Sequence, residues 1–193
     1  MGLVSNSKKA IVESMGRCSV GFAKTFAELQ PDIVVVLGDR YELLPICSAA
    51  LVMNITIAHI SGGDITIGAI DNEVRNAVTR MTTLHGPGGE ESAKNIIRMR
   101  NSKANVWTVG EPGLDNFRRC SLMTRQELSD NIGIPIENKW ILVTLHPETN
   151  ESLEYNLQMA KHIVALTDNM KDTSIVISKA NADFGGNQIN EYW

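Results

Sequence analysis

A chain of 193 residues, 43% hydrophobic and 21% charged with a net charge of −4, has the composition of an ordinary globular protein, long enough for one domain or two small ones. The acidic balance, and the lack of lysine or arginine clusters interleaved with aromatics, exclude a nucleic-acid footprint. No apolar run approaches membrane-spanning length, residues 1–10 lack a signal core, and Asn6 stands where a myristoylation signal wants Ser or Thr, so a cytoplasmic protein without a membrane partner is expected.

Ile11, Met15, Cys18, Phe22, Phe26 and Leu29 recur at steps of four and three, which predicts an amphipathic helix over 10–29 ended by Pro31. Residues 32–38 follow as a continuous apolar run, the pattern of a parallel strand covered on both faces, ending on Gly38-Asp39-Arg40. A helix over 43–53, with Pro45 tolerated in its first turn, and a strand over 55–60 complete a βαβ unit. Gly62-Gly63 breaks that strand, and from Asp71 the residues Val74, Ala77, Val78 and Met81 mark a helix. Asp71 and Arg75 fall together at the margin of its apolar stripe, a half-buried position where a carboxylate can have its pKa tuned, while Glu73 points away. Residues 83–90 read as a turn-rich break. Gly86-Pro-Gly-Gly89 within it reads as a plain turn, since no strand leads into it and no Lys-Ser/Thr follows. A helix through 97–99 and a strand over 106–109 come next.

Gly110-Glu-Pro-Gly113 is the best boundary, dividing the chain into domains 1–113 and 114–193. Thr124-Arg-Gln-Glu127 has the form of a capping box opening a helix that closes near Gly133. A strand over 140–145 runs into His146, a long helix carries Leu153, Leu157, Ala160 and Val164, and a strand over 174–178 leads to Asn181-Ala-Asp183 and Gly185-Gly186. This alternation predicts an α/β fold of two doubly wound parallel-sheet units. The first opens on a helix and the second has two clear strands, so both are expected to be incomplete. Cys18, Cys47 and Cys120, odd in number and without paired spacing, read as reduced core residues.

In an open α/β sheet, the loops leaving the carboxyl ends of the strands line the ligand crevice. Those ends carry Asp39-Arg40, Asp64 with Asp71 and Arg75, His146, and Asn181 with Asp183. Carboxylates there can act as general acids and bases, and arginine and histidine suit a phosphate-bearing ligand. The plainer alternative makes Asp71 a helix cap or first-turn carboxylate and Asp64 a loop-stabilising side chain. Four histidines and loosely spaced carboxylates do not compose a metal site, and no Ser-His-Asp order, P-loop or G-x-G-x-x-G appears, so no metal or other cofactor is expected.

Taken together, the blocks Pro31-Asp-Ile-Val-Val-Val-Leu-Gly-Asp-Arg-Tyr-Glu42, Ala58-His-Ile-Ser-Gly-Gly-Asp64, Gly68-Ala-Ile-Asp-Asn-Glu-Val-Arg75, Val109-Gly-Glu-Pro-Gly-Leu-Asp115, Leu142-Val-Thr-Leu-His-Pro147 and Asn181-Ala-Asp183 closely resemble the UDP-N-acetylglucosamine 2-epimerases. The nearest branch is the hydrolysing one that feeds sialic and related nonulosonic acid synthesis, and the blocks correspond to the middle portion of a family member. The resemblance implies two Rossmann-like units in a GT-B-like fold, with a UDP-sugar between them and a homodimer as the working form. It implies anti elimination of UDP through a 2-acetamidoglucal, then hydration to N-acetylmannosamine. It places Asp39, Asp64 and Asp71 as acid–base residues whose individual roles stay unassigned. His146 joins them as catalytic and, with Arg40, lies at the nucleotide phosphates; Arg75 and Asn181 complete the substrate-binding set, Asn181 on the uridine side.

This sequence departs from the family pattern at several points. Asp64 replaces the branch's more usual Glu, Ser61 stands where non-hydrolysing members carry Glu, Asn76 stands where relatives have His, and residues 86–89 replace a strand end leading to a Thr-Glu helix start. The family's opening strand and its Gly-Asn-Ser-Ser-Ser-Gly diphosphate loop have no counterpart here, so the chain alone is expected to be inactive or nearly so. Two other readings remain: the 2-epimerase of UDP-2,4-diacetamido-trideoxyglucose, as in the legionaminic acid branch, and a noncatalytic piece of such an enzyme.

Overall fold

The computed structural model describes residues 7–193; Asn6 and the residues before it, read above for a targeting signal, lie outside the described residues. The chain divides into two compact units, Met1–Gly113 and Leu114–Trp193. No helix among the described residues is long and apolar enough to cross a membrane.

The first unit runs α1 (Lys8–Leu29), β1 (Ile33–Leu37), α2 (Leu43–Val52), β2 (Thr56–Ile60), α3 (Asp71–Met81), β3 (Leu84–Gly86) and α4 (Glu90–Arg100). Ser7 opens α1 by accepting the Ala10 N–H at 3.2 Å, and Gln30 closes it in the left-handed conformation. The three strands form a parallel sheet in the order β1-β2-β3. Helix α1 packs on α2, and α2 on α3 and β2. Between them Phe26, Val36, Tyr41, Cys47, Ala50, Ile57 and Val78 are buried as one cluster. Each fully buried Val or Ile there contributes about 1.5–3 kcal/mol.

Three expectations are corrected in this unit. Strand β1 is not covered on both faces: Val36 is buried, whereas Ile33, Val35 and Leu37 are 49%, 67% and 59% exposed. Strands taken in sequential order with the usual right-handed crossovers send α2 and α3 to the same face, which leaves β1 exposed on the other, while Ala58, Ile60 and Leu84 there are half-buried. The turn-rich break is in part a strand, since Leu84–Gly86 pairs with β2 and leads straight through Pro87-Gly-Gly89 into α4. Three residues are too few to show a period of two. Residues 106–109 do not form a full strand. Val106 makes a single bridge to His85, and the N–H groups of Trp107 and Val109 donate to the carbonyls of His85 and Pro87, both at 3.0 Å, which lays the segment along β3.

The second unit runs from a short 3-10 turn (Pro112–Asp115), which spans the division, through α5 (Asn116–Arg119), α6 (Arg125–Ile132), β4 (Lys139–Thr144), α7 (Leu153–Thr167), β5 (Thr173–Ser178) and α8 (Gly186–Tyr192). Strands β4 and β5 pair in parallel. The capping box is present: Thr124 Oγ1 accepts the Glu127 N–H at 3.2 Å and Glu127 Oε2 accepts the Thr124 N–H at 2.7 Å. Cys120 corrects the reading of the cysteines, because it is exposed while Cys18 and Cys47 are buried. It follows α5, a single turn with no buried residue, so no core surrounds it. Helix α8 shows no apolar stripe in sequence. Asn190 anchors it, accepting the Ala180 N–H at 2.7 Å and donating to the Ala180 carbonyl at 3.2 Å.

Candidate active site

The polar groups of the first unit gather at the carboxyl ends of its strands around Arg75. This side chain is 5% exposed, not half-exposed as its position on the helical stripe implied. Its Nη2 forms an ion pair with Asp39 and donates to Thr66 Oγ1 at 2.9 Å, while Nη1 donates to the backbone carbonyl of Asp64 at 2.8 Å. The burial arises because the 61–70 loop and the end of β1 fold over it, which helix periodicity cannot register. Burial lowers the Arg75 pKa, yet a guanidinium stays protonated in proteins, so a permanent cation joins the ends of β1, the loop and α3.

The Asp64 carboxylate accepts a hydrogen bond from Ser92 Oγ on α4. Asp71 sits half-buried in the first turn of α3, where Ile70 is the N-cap residue and the helix N-terminus favours a carboxylate. Arg40 lies on the exposed surface. Its Nε and Nη2 donate to the two oxygens of Glu42 at 3.2 and 3.0 Å.

The glycines that broke β2 have a packing reason. A Cβ on Gly62 would meet His59 Nδ1 at 2.9 Å, and one on Gly63, whose φ is +86°, would meet the Ser92 carbonyl at 2.2 Å. His59 is fully buried, and its Nε2–H donates to the Gly38 carbonyl at 2.7 Å, tying the end of β1 to β2 just before Asp39. Burial lowers the His59 pKa and this bond partly opposes it. Burial also pushes its neighbour His85 down to about 4, helped by the charges of Arg100 and His59.

Several residues of these clusters, Thr66, His59, Asn156, Ser92 and Glu111 among them, carry no site signal in the sequence. Ser92 has no signal beyond lying in the first turn of α4. Glu111 was legible only as part of a boundary, yet it accepts from Ser61 Oγ at 2.7 Å.

In the second unit the loops after β4 and β5 meet. His146 Nδ1 accepts the Asn181 N–H at 3.1 Å, and Asn181 Nδ2 donates at 2.5 Å to the buried Asp183. Accepting at Nδ1 leaves the proton of a neutral His146 on Nε2. Asn156 on α7, 3% exposed, clamps the loop by accepting the Glu148 N–H at 2.8 Å and donating to the carbonyls of Glu148 and Ser152, both at 3.1 Å. Among the described residues no three His, Cys, Asp or Glu side chains gather as a metal site.

The arrangement thus has carboxylates on a strand-end edge stiffened by a buried cation in one unit, and a histidine oriented by backbone in the other. The sequence model of the UDP-N-acetylglucosamine 2-epimerase family matches residues 1–193. Among curated relatives, the GDP/UDP-N,N'-diacetylbacillosamine 2-epimerase (hydrolyzing) of Campylobacter jejuni is 30% identical over 189 residues, covering 98% of this chain and 49% of the relative. The UDP-N,N'-diacetylbacillosamine 2-epimerase (hydrolyzing) of Legionella pneumophila is 30% identical over 190 residues, again 98% and 49%. A crystal structure of UDP-GlcNAc 2-epimerase from Neisseria meningitidis bound to UDP-GlcNAc superimposes with a TM-score of 0.78 at 19% identity, covering 100% of this chain and 53% of that one. The chain spans about half the length of the curated relatives it matches. With the family model matched along its whole length and the parallel α/β fold shared with solved members, the chain belongs to the UDP-N-acetylglucosamine 2-epimerase family.

Proposed function

We propose that this chain carries the acid–base edge of a hydrolysing UDP-sugar 2-epimerase. A carboxylate among Asp39, Asp64 and Asp71 removes the proton on C2, the C2–H electrons form the C1=C2 bond, and UDP leaves with the C1–O electrons. Water then adds across the double bond to give the free epimeric sugar. Arg40 and His146 serve the diphosphate, Arg75 holds the acid–base edge against substrate, and Asn181 serves the uridine side. The observation that carries the reading is the Arg75 guanidinium. It is buried, and it binds Asp39 and the Asp64 backbone at once, which is how a site keeps carboxylates in register. The protein works in the cytoplasm as a homodimer and needs no cofactor.

UDP-N-acetylglucosamine is the first substrate to test. A second sugar, UDP-2,4-diacetamido-trideoxyglucose, is favoured by a cavity of about 330 Å³ beside Asp64 that Asn72, Asn76 and Asn95 help to line. The Asn72 and Asn95 carboxamides are bonded to the Thr66 N–H and the Gly63 carbonyl, so Asn76 is the one to offer the donor and acceptor that a second acetamido group requires. The test runs the full-length gene product with each UDP-sugar in heavy water. UDP release with deuterium at C2 of the product is expected. UDP release without deuterium at C2 would remove C2 deprotonation from the mechanism, and no UDP release from either sugar would sink the reading.

A further inference from the structure

The geometry points to Glu111 as a further catalytic carboxylate, the base that activates water in the second half of the proposed reaction, with Ser61 as its positioning residue. The inference rests on the 2-epimerase reading and deepens it. Along the sheet, the segments end at their carboxyl sides in Asp39 after β1, Asp64 after β2, only glycine and proline after β3, and Glu111 after the 106–109 segment. Glu111 fills the gap above β3. It leans back over Gly88 to the end of β2, where Ser61 Oγ donates to its Oε2 at 2.7 Å.

Two further features accommodate this position. A Cβ on Gly88 would come within 1.8 Å of Glu111 Oε1, so any other residue there would displace the carboxylate. Ser61 holds a left-handed backbone, φ +59°, which is costly for a residue with a Cβ and is found where surrounding structure enforces it. Its hydroxyl reaches Glu111 from that conformation.

The choice of role follows from what each carboxylate touches. Asp39 is bound to a buried cation, and Asp64 accepts from Ser92. Glu111 is exposed, held by one neutral hydroxyl, and pairs with no cation among the described residues. It is therefore placed to keep one oxygen fixed and present the other to a water molecule. In the hydration half, an acid among the three aspartates gives a proton to C2 of the 2-acetamidoglucal, and the π pair forms the new C2–H bond. The positive charge left on C1 and the ring oxygen takes the oxygen of water. Glu111 accepts the proton that water sheds and returns it to solvent.

The test measures UDP and free sugar separately in the full-length gene product, supplied with a UDP-sugar that the wild type consumes. Wild type yields one free sugar per UDP. E111Q should lower that ratio by about tenfold or more, with the 2-acetamidoglucal accumulating in solution. G88A, which keeps the carboxylate but denies it its seat, should do the same, and S61A should lower the ratio less. A ratio that stays at one in E111Q, whatever the total rate, overturns the assignment of Glu111. A wild type that releases no UDP from either sugar overturns the epimerase reading and this inference with it.

Discussion

The polar clusters of the two units are built on different principles. In the first, a buried guanidinium on α3 binds groups from the end of β1 and from the 61–70 loop, above a core that includes Phe26, Val36, Ile57 and Val78. In the second, His146 is set by one backbone N–H and Asn181 by a neighbour two positions away, and the buried apolar residues are Ala160, Ala180 and Ile189. A buried cation with several partners positions the first cluster, and single hydrogen bonds position the second. Removing a partner should therefore be expensive in one and cheap in the other.

The largest expected effect is on stability at Arg75. R75M leaves Asp39 and the Asp64 loop without their cation and should cost about 3 kcal/mol, read as a shift of the urea midpoint of the chain. A cost below about 1 kcal/mol would remove the contrast between the units.

Asp71 tests whether the stiff edge serves chemistry. D71N should lower turnover of the full-length gene product by about a hundredfold with the Tm nearly unchanged, since a first-turn carboxylate adds only about 0.3–1 kcal/mol at a helix start. Full activity in D71N would leave Asp71 a first-turn residue only.

Acid should strike the first unit through its histidines. His59 and His85 have folded pKa values below their ordinary 6.5, so the unfolded chain binds more protons as the pH falls. Their contribution is complete above pH 6.5 and is lost as the pH drops toward the folded value, about 4 for His85. Guanidinium midpoints measured from pH 7 to pH 4 should fall steeply in the wild type and less steeply in H85Q. Parallel curves would show that His85 carries none of this dependence.

The smallest effect belongs to the second unit. N181A removes one side-chain hydrogen bond to Asp183 and should cost about 1 kcal/mol, the worth of an ordinary hydrogen bond. A loss as large as that in R75M would mean that this loop is held as tightly as the Arg75 cluster.

The βαβ rhythm was legible because β1, β2 and β4 are apolar runs and α1 and α3 carry clear stripes. Strand β3 and helix α8 were not, since three residues show no alternation and α8 is held by the single buried Ile189 together with the Asn190 bonds, too little to make an apolar stripe. For the site, sequence spacing put Asp71 and Arg75 on one side of α3. It could not reveal that Asp39, 36 positions earlier, would pair with Arg75 and that a loop would bury it. The contact between Ser61 and Glu111 spans 50 positions and depends on the absence of a side chain at Gly88, which no local pattern encodes.

The bare side of β1 carries a consequence for handling the protein. Among the described residues β1 borders no strand but β2, so its outer row of N–H and C=O groups is an open template beside the exposed Ile33, Val35 and Leu37. Such an edge recruits further strands, from other copies as readily as from within. Concentrating the 193-residue chain should therefore drive strand-to-strand assembly well before its first unit unfolds. Lysine at Val35 would interrupt the template without touching the buried side.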